Sequence, residues 1–208
     1  MVRIRPLQRL RLGLPGMTGR FELAGDRINV AETADGTSVF TFSEPGTGRV
    51  CGDCQLCCRL VPVPEIRKAA GARCMHARYG KGCTIHAHRP ISCRVWSCRW
   101  LADPETAGMP RPDRCHYVID MLTDEITRPP RDGRPTVIRA AQVWVDPAFP
   151  DAHRAVELLS FMLMMAQRHG MATIVRFSSS RVVAIFPPPV SPDGDWLEIA
   201  GIPRNEAP

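Results

Sequence analysis

The sequence lacks a long apolar stretch. No run approaches the roughly 18 apolar residues that a membrane-spanning helix needs. The N-terminal stretch MVRIRPLQRLRLGLPGM alternates basic with aliphatic residues, without the continuous apolar core and small-residue cleavage site of a secretory signal. These absences predict a cytoplasmic protein with no membrane partner, in a bacterial-type cytoplasm where thiols are kept reduced.

The common nucleotide-binding and catalytic motifs are also missing. The chain contains no GxGxxG, Walker A, HExxH or GxSxG sequence, and no CxxxCxxC triplet of the radical SAM type. No internal repeat is evident. The sequence therefore indicates no enzyme class.

Acidic residues are scarce in one segment. Residues 51–100 contain nine Lys and Arg residues against two acids, Asp53 and Glu65, whereas the whole chain carries a net charge of +6. The rest of the chain is therefore close to neutral. This basic excess fits either a phosphate-binding surface or compensation of cysteine thiolates, whose pKa falls beside cations. The near-neutral flanks argue against nucleic acid.

Cysteine is what the sequence has in excess, beginning with CGDCQLCC at 51–58. Eight of the nine cysteines fall within one segment, at Cys51, Cys54, Cys57, Cys58, Cys74, Cys83, Cys93 and Cys98. Disulfides explain them poorly, because no oxidising compartment is indicated and adjacent Cys57 and Cys58 cannot bridge without strain. Thioredoxin-like redox chemistry needs only one CxxC. A role as apolar core filler suits Cys115 alone.

Metal ligation explains the spacing directly. Cysteines separated by two residues turn their sulfurs toward one ion, as in zinc knuckles, and iron–sulfur proteins use the same spacing. Cys58 must point away from Cys57, which indicates a second site or another face of a polynuclear one. Cys93 and Cys98 would lie about 140° apart on one helix. They too would serve different sites, unless the helix breaks between them.

The segment is also poor in large apolar residues, so it can hardly form a core unaided. A structural zinc site contributes on the order of 10 kcal/mol to folding, which is comparable to the net stability of a domain. We therefore expect a bound metal to take the place of a core here.

The same residues resemble a known family. CGDCQLCC, the later Cys74, and GCTIHAHRPISCRVWSCRW are similar to the CxxCxxCC-type cysteine-cluster proteins, the YkgJ-like family, described as zinc- or iron-chelating. The eight cysteines fall on the cysteine positions of that pattern. His86 stands where the family usually has tyrosine. The resemblance covers about a quarter of the chain and implies metal chelation.

We therefore expect a metal-chelating protein that binds zinc or an iron–sulfur cluster through up to eight thiolates. The CxxCxxC run slightly favours iron. The alternative is an iron–sulfur oxidoreductase or modifying enzyme that uses the cluster in turnover. A zinc-dependent nucleic-acid binder, or a metal storage or delivery protein with a protein partner, are further hypotheses.

Several other residues have simpler interpretations. His76, His86 and His88 lie among the cysteines, and we expect them to be hydrogen-bond partners or exposed rather than ligands. Trp96 and Trp100 are predicted to form one helix face that packs on the cluster. The methionines of SFMLMMAQ are predicted to be the buried side of a helix.

The predicted fold class is α+β. An irregular, metal-stapled cysteine-cluster segment would precede a small antiparallel sheet and one long helix. The predicted helix covers DAHRAVELLSFMLMMAQRHG, with Asp151 as its cap and Gly170 as its end, and ATIVRF and RVVAIFP form an antiparallel pair. The predicted divisions are 1–48 as an arm with a hairpin, 49–103 as the metal-binding segment, 104–187 as the α+β layer packed with it, and 188–208 as a loose tail.

Overall fold

The structure is a computed structural model that describes residues 4–5, 19–23, 26–32, 38–42, 47–128, 136–178 and 180–201. The strands are β1 Ile4–Arg5, β2 Gly19–Leu23, β3 Asp26–Glu32, β4 Ser38–Phe42, β5 Ala77–Arg78, β6 Gly82–Cys83, β7 Tyr117–Arg128, β8 Thr136–Val145, β9 Ala172–Arg176, β10 Val182–Phe186 and β11 Leu197–Ala200. The α-helices are α1 Leu56–Leu60, α2 Ile91–Val95, α3 Arg99–Ala102, α4 Pro112–Cys115 and α5 Val156–His169. Short 3-10 helices span Pro64–Ile66, His86–His88, Pro104–Thr106 and Pro150–Arg154.

The largest sheet has six strands in the order β1-β7-β8-β9-β10-β11. Neighbouring strands are antiparallel except β8 and β9. These two are parallel because α5 carries the chain back between them. The α+β class and the antiparallel β9–β10 pair are confirmed. The prediction of a small, purely antiparallel sheet was wrong in both size and strand direction.

Three strands of this sheet, β1, β7 and β11, were not predicted. β1 lies in the stretch predicted to be an arm and pairs with β7. The turn-rich connector at 102–116 leads into β7, which pairs with β8 along most of its length. Within the stretch predicted to be a loose tail, β11 pairs with β10. Leu197 and Ile199 pack against the apolar cluster of the sheet, and this alternation of apolar residues explains why the stretch is ordered as a strand.

Helix α5 lies where the sequence predicted a helix, and it ends at Gly170 in the left-handed region, with φ of 61°, as expected. The predicted cap was wrong. Asp151 lies in a separate 3-10 helix, and α5 begins only after Ala155, whose ψ of 137° is not helical. None of the described helices combines the length and apolar character needed to cross a bilayer.

One face of the sheet is covered by α5. Leu158, Met162 and Met165 of the helix are buried in a cluster that includes Val143 and Val175 of the sheet. The methionine-rich stretch is therefore the core side of a helix, as predicted.

The alternate residues of β7 and β8 bury a second apolar cluster. Val118 pairs with Trp144, and both contact Leu56 and Leu60 of α1 together with Cys98. The cysteine segment thus packs on the sheet through α1 and the start of α3.

The cysteine segment is mostly turns and short helices. Cys93 and Cys98 do not lie on one helix, because Trp96 has extended backbone and Cys98 forms a bridge with Asp120 of β7. Residues 64–66 form a single 3-10 turn. It stops at Arg67, which is left-handed with φ of 51°.

An antiparallel pair of strands lies within the residues predicted to form an N-terminal hairpin. β3 pairs with β4 in antiparallel register, and β2 adds a third strand beside β3. The expected turn at residues 34–36 lies outside the described residues.

An ion pair is buried in the six-stranded sheet. The Nη2 of Arg176 lies 2.6 Å from Oδ2 of Asp124, and the two side chains are only 5% and 8% exposed. The Nε of Arg176 donates to Oε1 of Gln142 at 2.8 Å, and its guanidinium lies 5.5 Å from the ring centre of Trp144. Removing one partner of such a pair leaves a buried charge poorly compensated.

We predict that Arg176→Leu lowers the free energy of unfolding by about 3–5 kcal/mol, because Asp124 stays buried without the guanidinium. Urea unfolding measures this change. Arg154→Leu is the matched control, since Arg154 pairs with Glu198 on the surface, where both side chains are largely exposed. It should cost less than about 1 kcal/mol. Equal losses in the two variants would contradict the prediction.

Candidate metal centre

The first two cysteines of the segment lie on a tight turn. The N–H of Cys54 donates to the carbonyl oxygen of Cys51 at 3.0 Å. A Cβ on Gly82, whose φ is 71°, would lie 2.9 Å from the carbonyl oxygen of Gly52. The start of β6 therefore packs directly on this turn, and position 82 requires glycine.

Cys57 and Cys58 are successive residues of α1, and their side chains share a hydrogen bond. Successive residues of a helix point about 100° apart. Cys54 and Cys57 pack against the apolar cluster that contains the buried Cys98, whereas Cys58 is not part of that cluster. The prediction that Cys58 points away from Cys57 was wrong for this structure, because the two thiols are hydrogen-bonded to each other.

The remaining cysteines approach α1 from its Cys58 side. The N–H of Cys74 donates to the carbonyl oxygen of Cys58 at 2.8 Å. The N–H of Ala77 in turn donates to the carbonyl oxygen of Cys74, and Ala77 pairs with Cys83 in the β5–β6 hairpin.

Cys93 lies on α2, which is attached to the 3-10 helix at 64–66. The carboxylate of Glu65 accepts from the N–H of Ser92 at 2.8 Å and from its hydroxyl at 2.5 Å. Cys93 interacts electrostatically with Cys58, Cys74 and Cys83. The fold therefore brings together all eight cysteines that the sequence predicted as ligands.

The pKa values of the adjacent Cys57 and Cys58 thiols shift in opposite directions. The Cys57 thiol donates a hydrogen bond to the Cys58 sulfur, which lowers the pKa of Cys58 to about 7, with help from Lys68 and Arg89. The same hydrogen bond, together with burial, raises the pKa of Cys57. Burial raises the pKa of Cys98 to about 12. In the metal-free chain, Cys58 is therefore the most acidic thiol among those whose pKa shifts.

Lys68 is a buried cation on the Cys58 side. It is 7% exposed, and its Nζ donates to the carbonyl oxygen of Val61 at 2.5 Å and to that of Ala69 at 3.3 Å. Burial lowers the pKa of Lys68 and is the largest influence on it. The neighbouring thiols, of which Cys74 has the largest effect, raise this pKa. Nothing in the local sequence pattern marks Lys68 as a buried residue.

Two arginines lie nearer the turn. Arg89 and Arg111 both favour the charged form of Cys51, and Arg89 also favours that of Cys58. The buried Nε of Arg89 has no hydrogen-bond partner among the described residues. A thiolate sulfur is a chemically suitable acceptor for such a donor.

All nine cysteines lie in the described part of the chain, and all are free thiols. No three His, Cys, Asp or Glu side chains of the described residues are placed to hold a metal ion. The donor set matches zinc or iron in chemistry. The thiols share one region, but no three of them are placed around one point. Their side chains would therefore have to rotate to bind one ion together.

The three histidines lie at the margin of the cysteines. His86 and His88 are exposed, and Nε2 of His86 lies 2.7 Å from Nη1 of Arg89. Burial, together with the neighbouring Arg89, lowers the pKa of His86. The backbone carbonyl oxygen of His76 accepts a hydrogen bond from the N–H of Thr84, which follows the β5–β6 hairpin. Their assignment as non-ligands stays a prediction.

Cys115 sits apart at the end of α4. Its sulfur lies 3.6 Å from the carbonyl oxygens of Pro110 and Tyr117. Burial raises its pKa to about 11. These contacts agree with the structural role predicted for this residue.

The tryptophans connect the segment to the sheet. The Nε1 of Trp96 donates to Oδ1 of Asp120 at 2.6 Å, and that of Trp100 donates to the carbonyl oxygen of Met109 at 3.1 Å. Both rings pack on the cluster around Cys98. The packing was predicted. The prediction that Trp96 and Trp100 form one helix face was wrong, because the backbone is extended at Trp96. The role of Asp120 could not be foreseen from sequence, because it arises from a long-range contact.

A cleft of about 320 Å3 lies at the other side of the sheet. It is lined by His153, Arg154, Leu159, Ile185, Trp196, Leu197 and Glu198. None of the eight clustered cysteines contributes to it.

Comparison of the chain with protein-family models, with curated proteins and with solved structures gave no match. The resemblance to the CxxCxxCC-type family therefore stays a prediction based on the cysteine pattern.

We predict that Cys58 is alkylated fastest in the reduced, metal-free protein, with a rate that rises through a midpoint near pH 7. Cys57→Ala should move this midpoint upward, since it removes the donor that stabilises the Cys58 thiolate. Iodoacetamide labelling followed by peptide mass spectrometry measures both midpoints.

Cys115 serves as the internal control, because burial gives it a pKa of about 11 and it should react slowly at pH 7. Equal rates at Cys58 and Cys115 would contradict the prediction, as would an unchanged midpoint in the Cys57→Ala variant.

Proposed function

We propose that the protein chelates metal through the thiolates of its cysteine segment, as zinc ions or as an iron–sulfur cluster. The observation that carries this proposal is the burial of Lys68 beside Cys58, Cys74 and Cys93. A buried ammonium is strongly unfavourable unless negative charge lies close to it.

The carboxylates of the segment are bound elsewhere. Asp53 forms an ion pair with Arg111 at 2.7 Å, and Glu65 accepts hydrogen bonds from Ser92. In residues 51–100 these are the two acids. The cysteines are therefore the groups of this segment best placed to supply anions to Lys68, and metal binding is what makes thiolates the stable form.

The thiolate set also fits the poor apolar packing of the segment. Cys54 and Cys57 flank one small cluster, and the remainder of the segment is built from turns. When bound, zinc would crosslink thiolates, and an iron–sulfur cluster would in addition accept and release an electron. The spacing of Cys51, Cys54 and Cys57 favours iron slightly over zinc.

We predict that protein isolated anaerobically, without a metal-binding tag, contains stoichiometric zinc or iron. Metal analysis, acid-labile sulfide and the visible spectrum distinguish the two. Iron with equimolar sulfide and an absorbance that bleaches on reduction supports a cluster and keeps the redox alternative open. Zinc without sulfide supports structural chelation. A folded chain that contains neither metal would contradict the proposal.

We predict that Lys68→Met weakens zinc affinity by about 10–100-fold, because it removes the buried cation beside the thiolates. Competition with a chromophoric chelator measures the change. Lys81→Met is the matched control, since Lys81 is exposed in the same segment and should leave affinity within about twofold. Circular dichroism of both zinc-loaded variants checks that they fold. Equal effects of the two substitutions would contradict the role of Lys68.

A further inference from the structure

Four of the eight cysteines lie together between the CGDC turn and the sheet. Cys54 and Cys57 pack against the apolar cluster that contains Cys98, and Cys51 is held to Cys54 by the turn. Cys51 also interacts electrostatically with Cys57 and Cys98, and with Cys58 beside them. We call Cys51, Cys54, Cys57 and Cys98 the sheet-side set.

The other four lie together around Cys58. Cys74 is hydrogen-bonded to the backbone of Cys58, and the hairpin carries Cys83 beside the strand that follows Cys74. Cys93 interacts with all three of these cysteines. We call Cys58, Cys74, Cys83 and Cys93 the hairpin-side set.

Cations lie beside both sets. Lys68 interacts first with Cys74 and Cys58 of the hairpin-side set and then with Cys57, and Arg111 acts on Cys51 of the sheet-side set. Arg89 acts on both Cys51 and Cys58, so it lies between the sets. A tetrathiolate zinc site carries a charge of −2, and cations beside each site lower the energy of such a charge.

The break between α2 and α3 separates the last two cysteines. Cys93 stays with α2 near Glu65, whereas Cys98 is drawn to β7 by its bridge with Asp120. The two cysteine pairs closest in sequence, Cys57 with Cys58 and Cys93 with Cys98, are therefore each divided between the sets.

We propose that the cysteine segment forms two separate four-thiolate metal centres, one from the sheet-side set and one from the hairpin-side set. This inference rests on the proposed function of metal chelation. Helix α1 donates one ligand to each centre, through Cys57 and Cys58, and metal binding replaces the hydrogen bond between these two thiols. The competing arrangement is one polynuclear centre that uses thiols of both sets.

Zinc binding to the full chain under reducing, anaerobic conditions tests the proposal. Wild-type protein should bind two zinc ions. Cys98→Ser and Cys93→Ser should each bind one tightly, and the double variant none. Cys54→Ser combined with Cys98→Ser should still bind one, because both changes fall in the same set. Cys115→Ser is the matched control and should bind two.

The outcomes separate the two proposals. A wild-type chain that binds no metal overturns the proposed function. A wild-type chain that binds metal, but loses all of it in either single variant, overturns only the division into two centres. A wild-type stoichiometry of one zinc also overturns the division.

Thiol labelling of the wild-type chain tests the proposal even if a variant fails to fold. With one equivalent of zinc, alkylation and intact-mass analysis should show singly loaded chains with four protected thiols, and peptide mapping should place them all in one set. Protection of Cys57 together with Cys58 in singly loaded chains would overturn the proposal.

Discussion

Charge compensation between Lys68 and the neighbouring thiols is the interaction on which the proposed chelation depends. Lys68 and Cys98 are buried, and the other seven clustered cysteines are partly buried. Thiolates beside Lys68 would stabilise its buried ammonium, which also donates to backbone carbonyl oxygens. If the thiols bind metal as proposed, the basic residues of the segment compensate the charge of the thiolates.

The sheet supplies the fixed surface on which that chemistry is organised. Val118 and Trp144 pack in one apolar cluster with Leu56 and Leu60 of α1. Asp120 accepts hydrogen bonds from Trp96 and Trp144. The bridge between Cys98 and Asp120 then fixes the end of the segment. A rigid β-layer on one side and short turns on the other is an arrangement that lets side chains adjust to an ion without disturbing the main core.

Local sequence patterns predicted the features that depend on local physics. The period of α5, its glycine stop and the β9–β10 pair follow from patterning, and the eight candidate ligands follow from their spacing. The strand β7 was missed because the buried acids Asp120 and Asp124 interrupt its apolar alternation. Their partners come from distant parts of the chain. The break at Trp96 and the burial of Lys68 were missed for the same reason, since long-range contacts decide both.

X-ray absorption at the metal edge of anaerobically isolated protein tests the central claim most directly, because it reports the atoms bound to the ion. We expect four sulfur neighbours per metal at about 2.3 Å. A first shell made of oxygen and nitrogen at about 2.0–2.2 Å would show that the cysteines do not hold the metal, and would contradict the proposed chelation.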